Sequence, residues 1–440
     1  MTTSKTFCPL PWIHMATRPN GDVRVCCTAN ASGAGTKDNK TAGLVKKDGI
    51  AMNLRDHSIE EVWNSEHMRN TRLQMLNGEV PVSCTKCFEE ESNGVVSKRQ
   101  WETREWKGKI NMENLVDKTQ EDGSLEVDIP YFDLRLGNVC NLKCTMCSPH
   151  DSSSWIKDWK LQQPEYKDPL LASDQDWDQN FDYTWYKKGS FLESMMEQAG
   201  NIQQLYFAGG EPLMIPEHWK ILQELIAEGH AKNIKLRYNT NGHPDSAMKA
   251  VNYWNHFKEV VVNFSLDGTQ YVNSYIRYPS DWLQTIASLR YMVNQVDKKH
   301  QVNIACAVQA LNALDLVDLV DWSIKRNDVN NKRTHMAAPF INTHLVYFPS
   351  YMNIKVLPME IKNQVRRKIE DFIIRNSKDK YFNDHPMGKQ RWEGIIKFMY
   401  SEDWSDKLPA LVEYLGSCDK TRGTNWRETF PELAAAIDGQ

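Results

Sequence analysis

The sequence Cys140-Asn-Leu-Lys-Cys144-Thr-Met-Cys147 decides both the fold and the chemistry expected of this chain. Three thiols at the spacing C-x3-C-x2-C can bind three irons of a cubane iron–sulfur cluster, whereas a cluster that only carries electrons usually has four cysteine ligands. The fourth iron would then keep an open position where a substrate could be chelated. The strand-like segment from Tyr131 to Leu136 comes just before the loop. A zinc site is the alternative, and His150 is the nearby side chain that could complete it.

A C-x3-C-x2-C loop that follows a first strand resembles the signature of the radical SAM enzymes. Asn141 and Leu142 inside the loop are part of that resemblance, while Met146 stands where the family commonly has an aromatic residue. The resemblance implies a 4Fe-4S cluster that binds the amino and carboxylate groups of S-adenosylmethionine (SAM). It also implies reductive cleavage of SAM to a 5'-deoxyadenosyl radical, which abstracts hydrogen from a substrate.

Composition places few limits on function. The chain has 440 residues, of which 41% are hydrophobic and 25% are charged, and its net charge of -4 gives no electrostatic reason to expect a nucleic-acid partner. The N-terminus lacks the apolar core of a signal peptide, and no stretch reaches the ~18 apolar residues of a membrane helix. Ten cysteines with C-x2-C spacings in a long chain indicate metal or redox chemistry rather than disulfides. We therefore expect a cytoplasmic protein with no membrane partner.

The chain divides by pattern into four parts. Residues 1–105 form a cysteine-bearing unit, and residues 106–128 form a polar linker. From 129 to 350, strand-like runs alternate with helical ones, as in β-α units around a parallel sheet. Residues 351–440 look helical and form a C-terminal extension. The class predicted is α/β, and the resemblance implies a partial (β/α)6 barrel with reactive groups at the carboxyl ends of its strands.

The secondary structure can be predicted more closely in several segments. A capping box from Ser58 to Glu61 starts a helix that ends near Gly78 and Pro81, and residues 359–373 have helical periodicity. The six barrel strands are predicted at 131–136, 204–207, 234–239, 259–265, 302–308 and 343–348. Packing, rather than a substrate lid, is the expected role of Trp155, Trp159, Trp177 and Trp185. The expected core contributors of the tail are Trp392, Trp404 and Trp426.

Three further segments extend the resemblance to the radical SAM enzymes. Gly209-Gly210-Glu211-Pro follows a strand and resembles the family's GGEP motif, which receives the SAM amino group, although such a sequence alone could be an ordinary turn. Asn239 and Asn241 end the next strand and resemble the segment near the SAM ribose or the substrate, with turn capping as the alternative.

Ser265 and Arg277 resemble the serine that contacts the ribose and the arginine that pairs with the SAM carboxylate in members with a SPASM domain. A planar bidentate donor suits that carboxylate, although an isolated arginine would more often be a surface residue. Residues 310–312 match a region where the family contacts adenine.

A second metal site is predicted in the N-terminal unit. Cys8, Cys26, Cys84 and Cys87 could saturate an auxiliary 4Fe-4S cluster, and Gly21 suits a turn between strands expected at 12–17 and 22–27. The pattern resembles the twitch or SPASM domains of radical SAM enzymes, although those usually follow the barrel. A structural zinc ion is the alternative, and Cys27 could replace Cys26.

Two other cysteines receive ordinary roles. Cys306 is expected to be a small buried hydrophobic residue in a strand, and Cys418 is placed in a tail loop, where it could be a reactive thiol or a cluster ligand but is expected to be neither.

The function predicted is therefore a radical SAM enzyme that gives net oxidation or bond formation, with the auxiliary cluster as electron acceptor or relay. The partners implied are SAM, a reductant such as flavodoxin or ferredoxin, and a small polar molecule or a peptide as substrate. A peptide-modifying maturase is the first alternative. A non-catalytic iron–sulfur or zinc scaffold is the alternative from a different class, and it would not need Gly209 to Pro212, Ser265 or Arg277.

Overall fold

The computed structural model describes residues 4–29, 43–174, 177–325, 341–378 and 388–439. The chain forms two compact units. Unit 1 comprises Met1–Ser92, Val96–Asn138 and Asn180–Arg237, and unit 2 comprises Asn93–Val95, Val139–Gln179 and Tyr238–Gln440. The four domain boundaries given above stay a prediction.

Unit 1 contains a mixed sheet. β1 (His14–Thr17) pairs antiparallel with β2 (Val23–Arg24) and parallel with β5 (Tyr131–Leu134), which pairs parallel with β6 (Gln204–Phe207). A separate hairpin pairs β3 (Lys46–Lys47) with β4 (Ile50–Ala51). Each residue of β1, β5 and β6 is buried, as expected for strands that are covered on both faces.

The helices of unit 1 cover the apolar face of this sheet. Phe132 packs against Phe191 and Phe207 against His218, with ring centroids 6.3 Å and 4.8 Å apart. Ser58 and Glu61 form the predicted capping box. The α-helices of this unit are Leu10–Ile13, Ile59–Trp63, Glu66–Leu76, Thr85–Ser92, Lys98–Trp106, Met112–Asp117, Phe191–Glu197 and Pro216–Ala227.

Unit 2 contains a parallel sheet. β7 (Lys235–Thr240) begins in unit 1 and ends in unit 2, where it is followed by β8 (Glu259–Ser265), β9 (Gln301–Val308) and β10 (Ile341–Leu345). β9 pairs in parallel with both β8 and β10. Helices separate the strands along the chain, because a parallel connection must cross back over the sheet.

Helices also make up the C-terminal part of unit 2. The helix Met359–Arg375 agrees with the predicted one, and buried Trp392 and Trp426 contribute to the core as expected. The α-helices of unit 2 are Ile156–Gln162, Pro169–Ser173, Pro244–Trp254, Gln270–Ile276, Trp282–Gln295, Leu316–Lys325, Met359–Arg375, Gly388–Tyr400, Leu408–Arg422, Trp426–Thr429 and Pro431–Asp438.

The α/β class is confirmed, and each of the six predicted barrel strands is present. The last strand lies two to three residues earlier than predicted, at Ile341–Leu345. In the N-terminal unit, the strand expected from residue 12 begins only at His14, since Leu10–Ile13 is helical. The single helix expected after Ser58 is two helices, because Ser65 caps a new helix by accepting a bond from the Met68 amide.

Two side chains differ from their predicted surroundings. Trp404 is partly exposed and donates its indole N–H to Glu402, so it is not a core residue. Cys418 lies in the helix Leu408–Arg422 and not in a loop, and it is fully buried. Trp155, Trp159 and Trp185 are buried as predicted, and Cys306 is buried in β9. In the described part of the chain, no helix is both long and apolar enough to cross a membrane.

Two glycines of unit 2 should respond in opposite ways to alanine. Gly242 has a φ of 68°, and a Cβ atom there would lie 2.0 Å from Phe264 Cε2, whereas a Cβ at Gly416 in the helix Leu408–Arg422 meets nothing within 4 Å. We expect Gly242→Ala to lower the free energy of unfolding by about 1–3 kcal/mol and Gly416→Ala to raise it by about 0.5–1 kcal/mol. Thermal unfolding of the two variants checks this, and shifts of the same sign would contradict it.

Candidate functional site

The first thiol site lies in unit 2. Cys144 is buried, while Cys140 and Cys147 are partly exposed. The loop that carries them has almost no regular secondary structure, so its peptide groups need partners from elsewhere. The amide of Lys143 donates to the carbonyl of Tyr278, and the amide of Thr145 donates to the carbonyl of Ile276 at 2.8 Å. These bonds fix the loop to the segment that carries Arg277.

Side chains bind the loop's carbonyl groups. Ser154 and Ser152 follow the loop in sequence, whereas Tyr414 and Arg422 come from the C-terminal helix Leu408–Arg422. The bonds are Ser154 Oγ to Cys140 O at 2.7 Å, Ser152 Oγ to Leu142 O at 2.6 Å, Arg422 Nη2 to Lys143 O at 2.7 Å, Trp155 Nε1 to Cys144 O at 3.0 Å and Tyr414 Oη to Thr145 O at 2.8 Å. The positions of the three thiols are therefore set partly by side chains that are distant in sequence.

Nitrogen donors approach the sulfur atoms. The Leu142 amide is 3.4 Å from Cys140 Sγ, and Asn241 Nδ2 and Arg277 Nη1 are each 3.9 Å from a sulfur, of Cys140 and Cys144 respectively. The pKa of Cys144 is lowered, mainly by its hydrogen bond with the Cys147 thiol and also by the positive charge of Arg277. Soft thiolate ligands with N–H groups around them are the donor set that iron–sulfur clusters use, so these residues fit a cluster.

Arg277 is held by a buried carboxylate. Its Nε lies 2.8 Å from Asp267 Oδ2, and the side chains of Arg277 and Asp267 are 13% and 0% exposed. Asp267 Oδ1 accepts a 2.7 Å bond from the amide of Ala307. Asn312 Nδ2 donates to the carbonyl of Asp267 at 2.8 Å, so the Asn312 side chain is engaged by the backbone. Asp267 thus orients the guanidinium group of Arg277, whose Nη1 atom approaches the sulfur of Cys144.

Two other predicted SAM contacts lie at strand ends of unit 2. Asn239 Oδ1 accepts a 3.0 Å bond from Asn263, whose own Oδ1 accepts from Asn342 at 2.9 Å. Ser265 ends β8 and is partly exposed. Asn241 Nδ2 also donates to Asn141 Oδ1 at 2.8 Å. The structure therefore brings Asn241 and Arg277 to the thiol loop, and it places Asn239 in a chain of amide side chains.

Gly209, Gly210 and Glu211 belong to unit 1 and follow β6. Both glycines have positive φ angles, of 76° and 57°, which favour glycine. A Cβ atom on Gly209 would lie 2.5 Å from Arg135 Cγ, so only glycine leaves room for that side chain. Glu211 is buried, and its Oε1 accepts a 3.1 Å bond from the amide of Leu213. This turn therefore has a fixed backbone with a buried carboxylate.

The second thiol site lies within unit 1. Cys8, Cys26, Cys84 and Cys87 line one pocket. They come from the segment before the helix Leu10–Ile13, the segment that follows β2, a short 3-10 turn and the helix Thr85–Ser92. Lys86, Lys98 and Arg99 also line the pocket and supply positive charge. Four thiols with cationic neighbours fit an anionic cluster.

The same thiols influence one another electrostatically. The pKa of Cys87 is raised to about 12, mainly by burial and next by the charge of Cys26. The pKa of Cys8 is also raised, mainly by burial and next by the charge of Cys84. Such thiols become thiolates by binding a metal. Cys27 is not among the residues that line this pocket. After burial, which raises the pKa of the Cys27 thiol, the largest influence on that pKa is the positive charge of Lys98, which lowers it. Within the described residues, no group of three or more His, Cys, Asp or Glu side chains is arranged for a single metal ion.

Several site residues were not found from the sequence. The thiol loop is bound by Arg422, Tyr414 and Trp155, which lie in segments without a recognisable motif. Asp267 holds Arg277, and the resemblance gave this aspartate no role. A buried arginine in an amphipathic tail helix is a weak signal that sequence alone does not separate from a surface arginine.

Comparisons with known proteins give the class of this chain. Residues 134–305 match the radical SAM superfamily, and residues 8–88 match SPASM, an iron–sulfur cluster-binding domain. One part of the chain is therefore similar to radical SAM domains, and the part before it is similar to SPASM domains. These domains imply a 4Fe-4S cluster with SAM and auxiliary iron–sulfur binding, as predicted.

Distantly similar solved structures include hexahistidine-tagged anSMEcpe with bound AdoMet, which is 21% identical to this chain and has a TM-score of 0.35. The alignment covers 56% of this chain and 59% of that one. Streptococcus suis SuiB bound to S-adenosylmethionine is 14% identical with a TM-score of 0.33, and the alignment covers 74% of this chain and 67% of that one. These likenesses are too weak to carry an argument. No curated protein matches the chain.

Removal of Arg422 should loosen the first thiol loop. Arg422→Met deletes the charge-assisted bond to Lys143 O and a guanidinium that lies 4.6 Å from the Trp155 ring centroid. We expect the free energy of unfolding to fall by about 2–3 kcal/mol, and we expect less iron to be bound after reconstitution. Arg427→Met is the matched control, because Arg427 is exposed and its ion pair with Asp438 should be worth under about 1 kcal/mol. Equal iron content and stability in the two variants would contradict the role of Arg422.

Iron content tests the nature of both thiol sites. If each site holds a cubane cluster, we expect about eight iron atoms and about eight acid-labile sulfides per chain. Metal analysis of the anaerobically reconstituted protein measures this. About four iron atoms together with one tightly bound zinc would show that the pocket of Cys8, Cys26, Cys84 and Cys87 is a zinc site.

Proposed function

We propose that this chain is a radical SAM enzyme that abstracts hydrogen from a substrate and gives net oxidation or bond formation. One observation carries the proposal: Arg277 and Asn241, which follow two different strands, approach the thiols of Cys144 and Cys140. A scaffold that only stores a cluster would have no need of a guanidinium at an incompletely ligated site. When bound, the cluster and SAM supply a 5'-deoxyadenosyl radical by reductive cleavage.

Each residue near SAM has a proposed task. Cys140, Cys144 and Cys147 hold the cluster, and Arg277 binds the SAM carboxylate, for which Asp267 positions it. The backbone of Gly209 and Gly210 and the carboxylate of Glu211 receive the amino group, and Asn239 and Ser265 contact the ribose or the substrate. These six cofactor-binding positions rest on the motif resemblance described above. The bond from the Leu213 amide to Glu211 supports the part given to Glu211, because it fixes the carboxylate.

The second site has a proposed role in electron transfer. Cys8, Cys26, Cys84 and Cys87 hold an auxiliary 4Fe-4S cluster, and Lys98 and Arg99 offset its negative charge. An electron acceptor suits net oxidation of a substrate, whereas zinc has no redox chemistry and could not serve. The reductant is proposed to be a flavodoxin or a ferredoxin, and the compartment the reducing cytoplasm.

The substrate is proposed to be a small polar molecule, with a peptide as the second candidate. One of the similar structures is SuiB bound to the precursor peptide SuiA, at 13% identity and a TM-score of 0.34, which is too distant to favour a peptide here. The competing non-catalytic scaffold predicts that no SAM is consumed. Anaerobic protein with dithionite and SAM should yield 5'-deoxyadenosine, and its absence would overturn the proposal.

Replacing Cys140, Cys144 and Cys147 together by alanine should abolish SAM cleavage, because the cluster loses its protein ligands. The N-terminal site should keep its metal, since its four thiols are unchanged. Chromatography of 5'-deoxyadenosine and iron analysis measure the two effects. Retained 5'-deoxyadenosine formation in this triple variant would sink the assignment.

Loss of Arg277 should weaken SAM binding. A charge-assisted bond is worth about 1.5 to 3 kcal/mol, which corresponds to roughly ten- to a hundredfold in affinity. Arg277→Ala also leaves Asp267 buried without its counter-ion, so Arg277→Lys is the variant that keeps the charge but loses the planar fork. Arg367→Ala, on the exposed face of the helix Met359–Arg375, is the matched control. Equilibrium SAM binding measures the effect, and wild-type affinity in both Arg277 variants would show that the position is misassigned.

A further inference from the structure

A chain of hydrogen-bonded side chains crosses one face of the sheet in unit 2. Its three bonds are Arg391 Nη1 to Asn342 Oδ1 at 3.3 Å, Asn342 Nδ2 to Asn263 Oδ1 at 2.9 Å, and Asn263 Nδ2 to Asn239 Oδ1 at 3.0 Å. The arginine comes from the helix Gly388–Tyr400, and the three asparagines come from β10, β8 and β7. All four residues belong to unit 2, and we call them the amide chain.

The strand pairing explains how Asn342 reaches Asn263. β9 lies between their strands: Asn263 pairs with Asn303 of β9, and Asn342 pairs with Ala305. Alternation along β9 puts these residues on one face of the sheet. Neighbouring strands lie about 4.8 Å apart, so two side chains on either side of β9 can bond only by leaning over it. The small side chain of Ala305 leaves the room that this contact needs.

Arg391 fixes the direction in which each amide of the chain points. A guanidinium group donates hydrogen bonds and cannot accept them, so it must face the oxygen of Asn342. The nitrogen of Asn342 then faces the oxygen of Asn263, whose nitrogen faces the oxygen of Asn239. The group at the end of the chain is therefore Asn239 Nδ2, which is a donor. Hydrogen bonds in a chain polarise one another, and this strengthens the last donor.

The end of the amide chain lies close to the thiol loop. Asn241, which directly follows β7, donates to Asn141 Oδ1 in that loop at 2.8 Å. Asn239 is two residues earlier, which is about 7 Å along a strand. Its side chain is partly exposed, and within the described part of the chain its Nδ2 atom has no acceptor. An oriented donor is thus left for a ligand beside the loop.

We propose that Asn239 donates a hydrogen bond to the nucleoside part of SAM, and that the other three residues of the amide chain are positioning residues that act through it. The inference rests on the proposed function, because it assumes that SAM binds the open iron held by the thiol loop. SAM bound there through its amino and carboxylate groups leaves its nucleoside to reach the strand ends beside the loop. Ribose oxygens and adenine ring nitrogens can accept hydrogen bonds, so a fixed N–H donor suits them.

Equilibrium binding of SAM to the anaerobically reconstituted protein tests the inference. Asn239→Ala should weaken SAM binding about fivefold, the loss expected for one neutral hydrogen bond. Arg391→Met should weaken it about threefold, because the amides are then free to turn. Arg391→Lys should restore most of the affinity, since an ammonium group also donates without accepting. Lys389→Met is the matched control and should bind SAM like the wild type, because exposed Lys389 lies in the same helix and pairs with Glu393.

A double-mutant cycle separates positioning from a structural role. If Arg391 acts through Asn239, Arg391→Met should cause no further loss of SAM affinity in the Asn239→Ala protein. A structural arginine would lower the melting temperature, and its loss would change SAM affinity equally in both backgrounds or in neither. Asn342→Leu breaks the next link of the chain with little change in volume, so it gives the same comparison if Arg391→Met does not fold.

Three results would overturn the inference. The first is wild-type SAM affinity in Asn239→Ala, which would leave this donor to the substrate. The second is wild-type affinity in Arg391→Met, or an equal loss in Lys389→Met. The third is additive losses in the double variant. Failure of the proposed function is seen separately, because the wild-type protein would then form no 5'-deoxyadenosine from SAM and dithionite.

Discussion

The thiol loop from Cys140 to Cys147 must present three sulfur atoms in fixed positions although its peptide groups have almost no regular partners. The structure meets this constraint with side chains: Trp155, Tyr414 and Arg422 each bind a carbonyl of the loop. Preorganisation of this kind keeps the sulfur atoms in place before any cofactor binds. The C-terminal helix Leu408–Arg422 is therefore part of the thiol site, and its buried polar residues have a clear purpose.

Charge compensation is the second requirement shared by both thiol sites. Thiolates and the clusters they hold are anionic, and a buried anion needs nearby donors or cations. In unit 2 this is provided by Arg277, which Asp267 holds in place. In unit 1, Lys98 and Arg99 line the pocket of four thiols. The position of Arg277 between a carboxylate and a sulfur explains how one residue can be rigid and also available to a ligand.

The sequence predicted the elements that depend on local patterns. The strands β5 to β10, the capping box at Ser58 and the helix from Met359 follow from alternation, capping chemistry and helical periodicity. Motif spacing also predicted two groups of thiols. Four of them line one pocket in unit 1, and the assignment of both groups as cluster ligands stays a prediction. Two predictions about the tail were wrong: Cys418 lies within a helix and not in a loop, and Trp404 is partly exposed beside Glu402. Local sequence does not record which distant side chain will satisfy a given carbonyl, so the part played by Arg422 could be seen only in the structure.

The central claim is that the first thiol site binds a cluster with an open iron to which SAM attaches. It is tested most directly by electron paramagnetic resonance of the dithionite-reduced Cys84→Ala/Cys87→Ala variant, in which the pocket of unit 1 loses two of its four thiols. The signal that remains then belongs to the site of Cys140, Cys144 and Cys147. We predict that SAM changes the g values of this signal, because it becomes a ligand of the cluster. A signal that stays the same at saturating SAM would contradict the account.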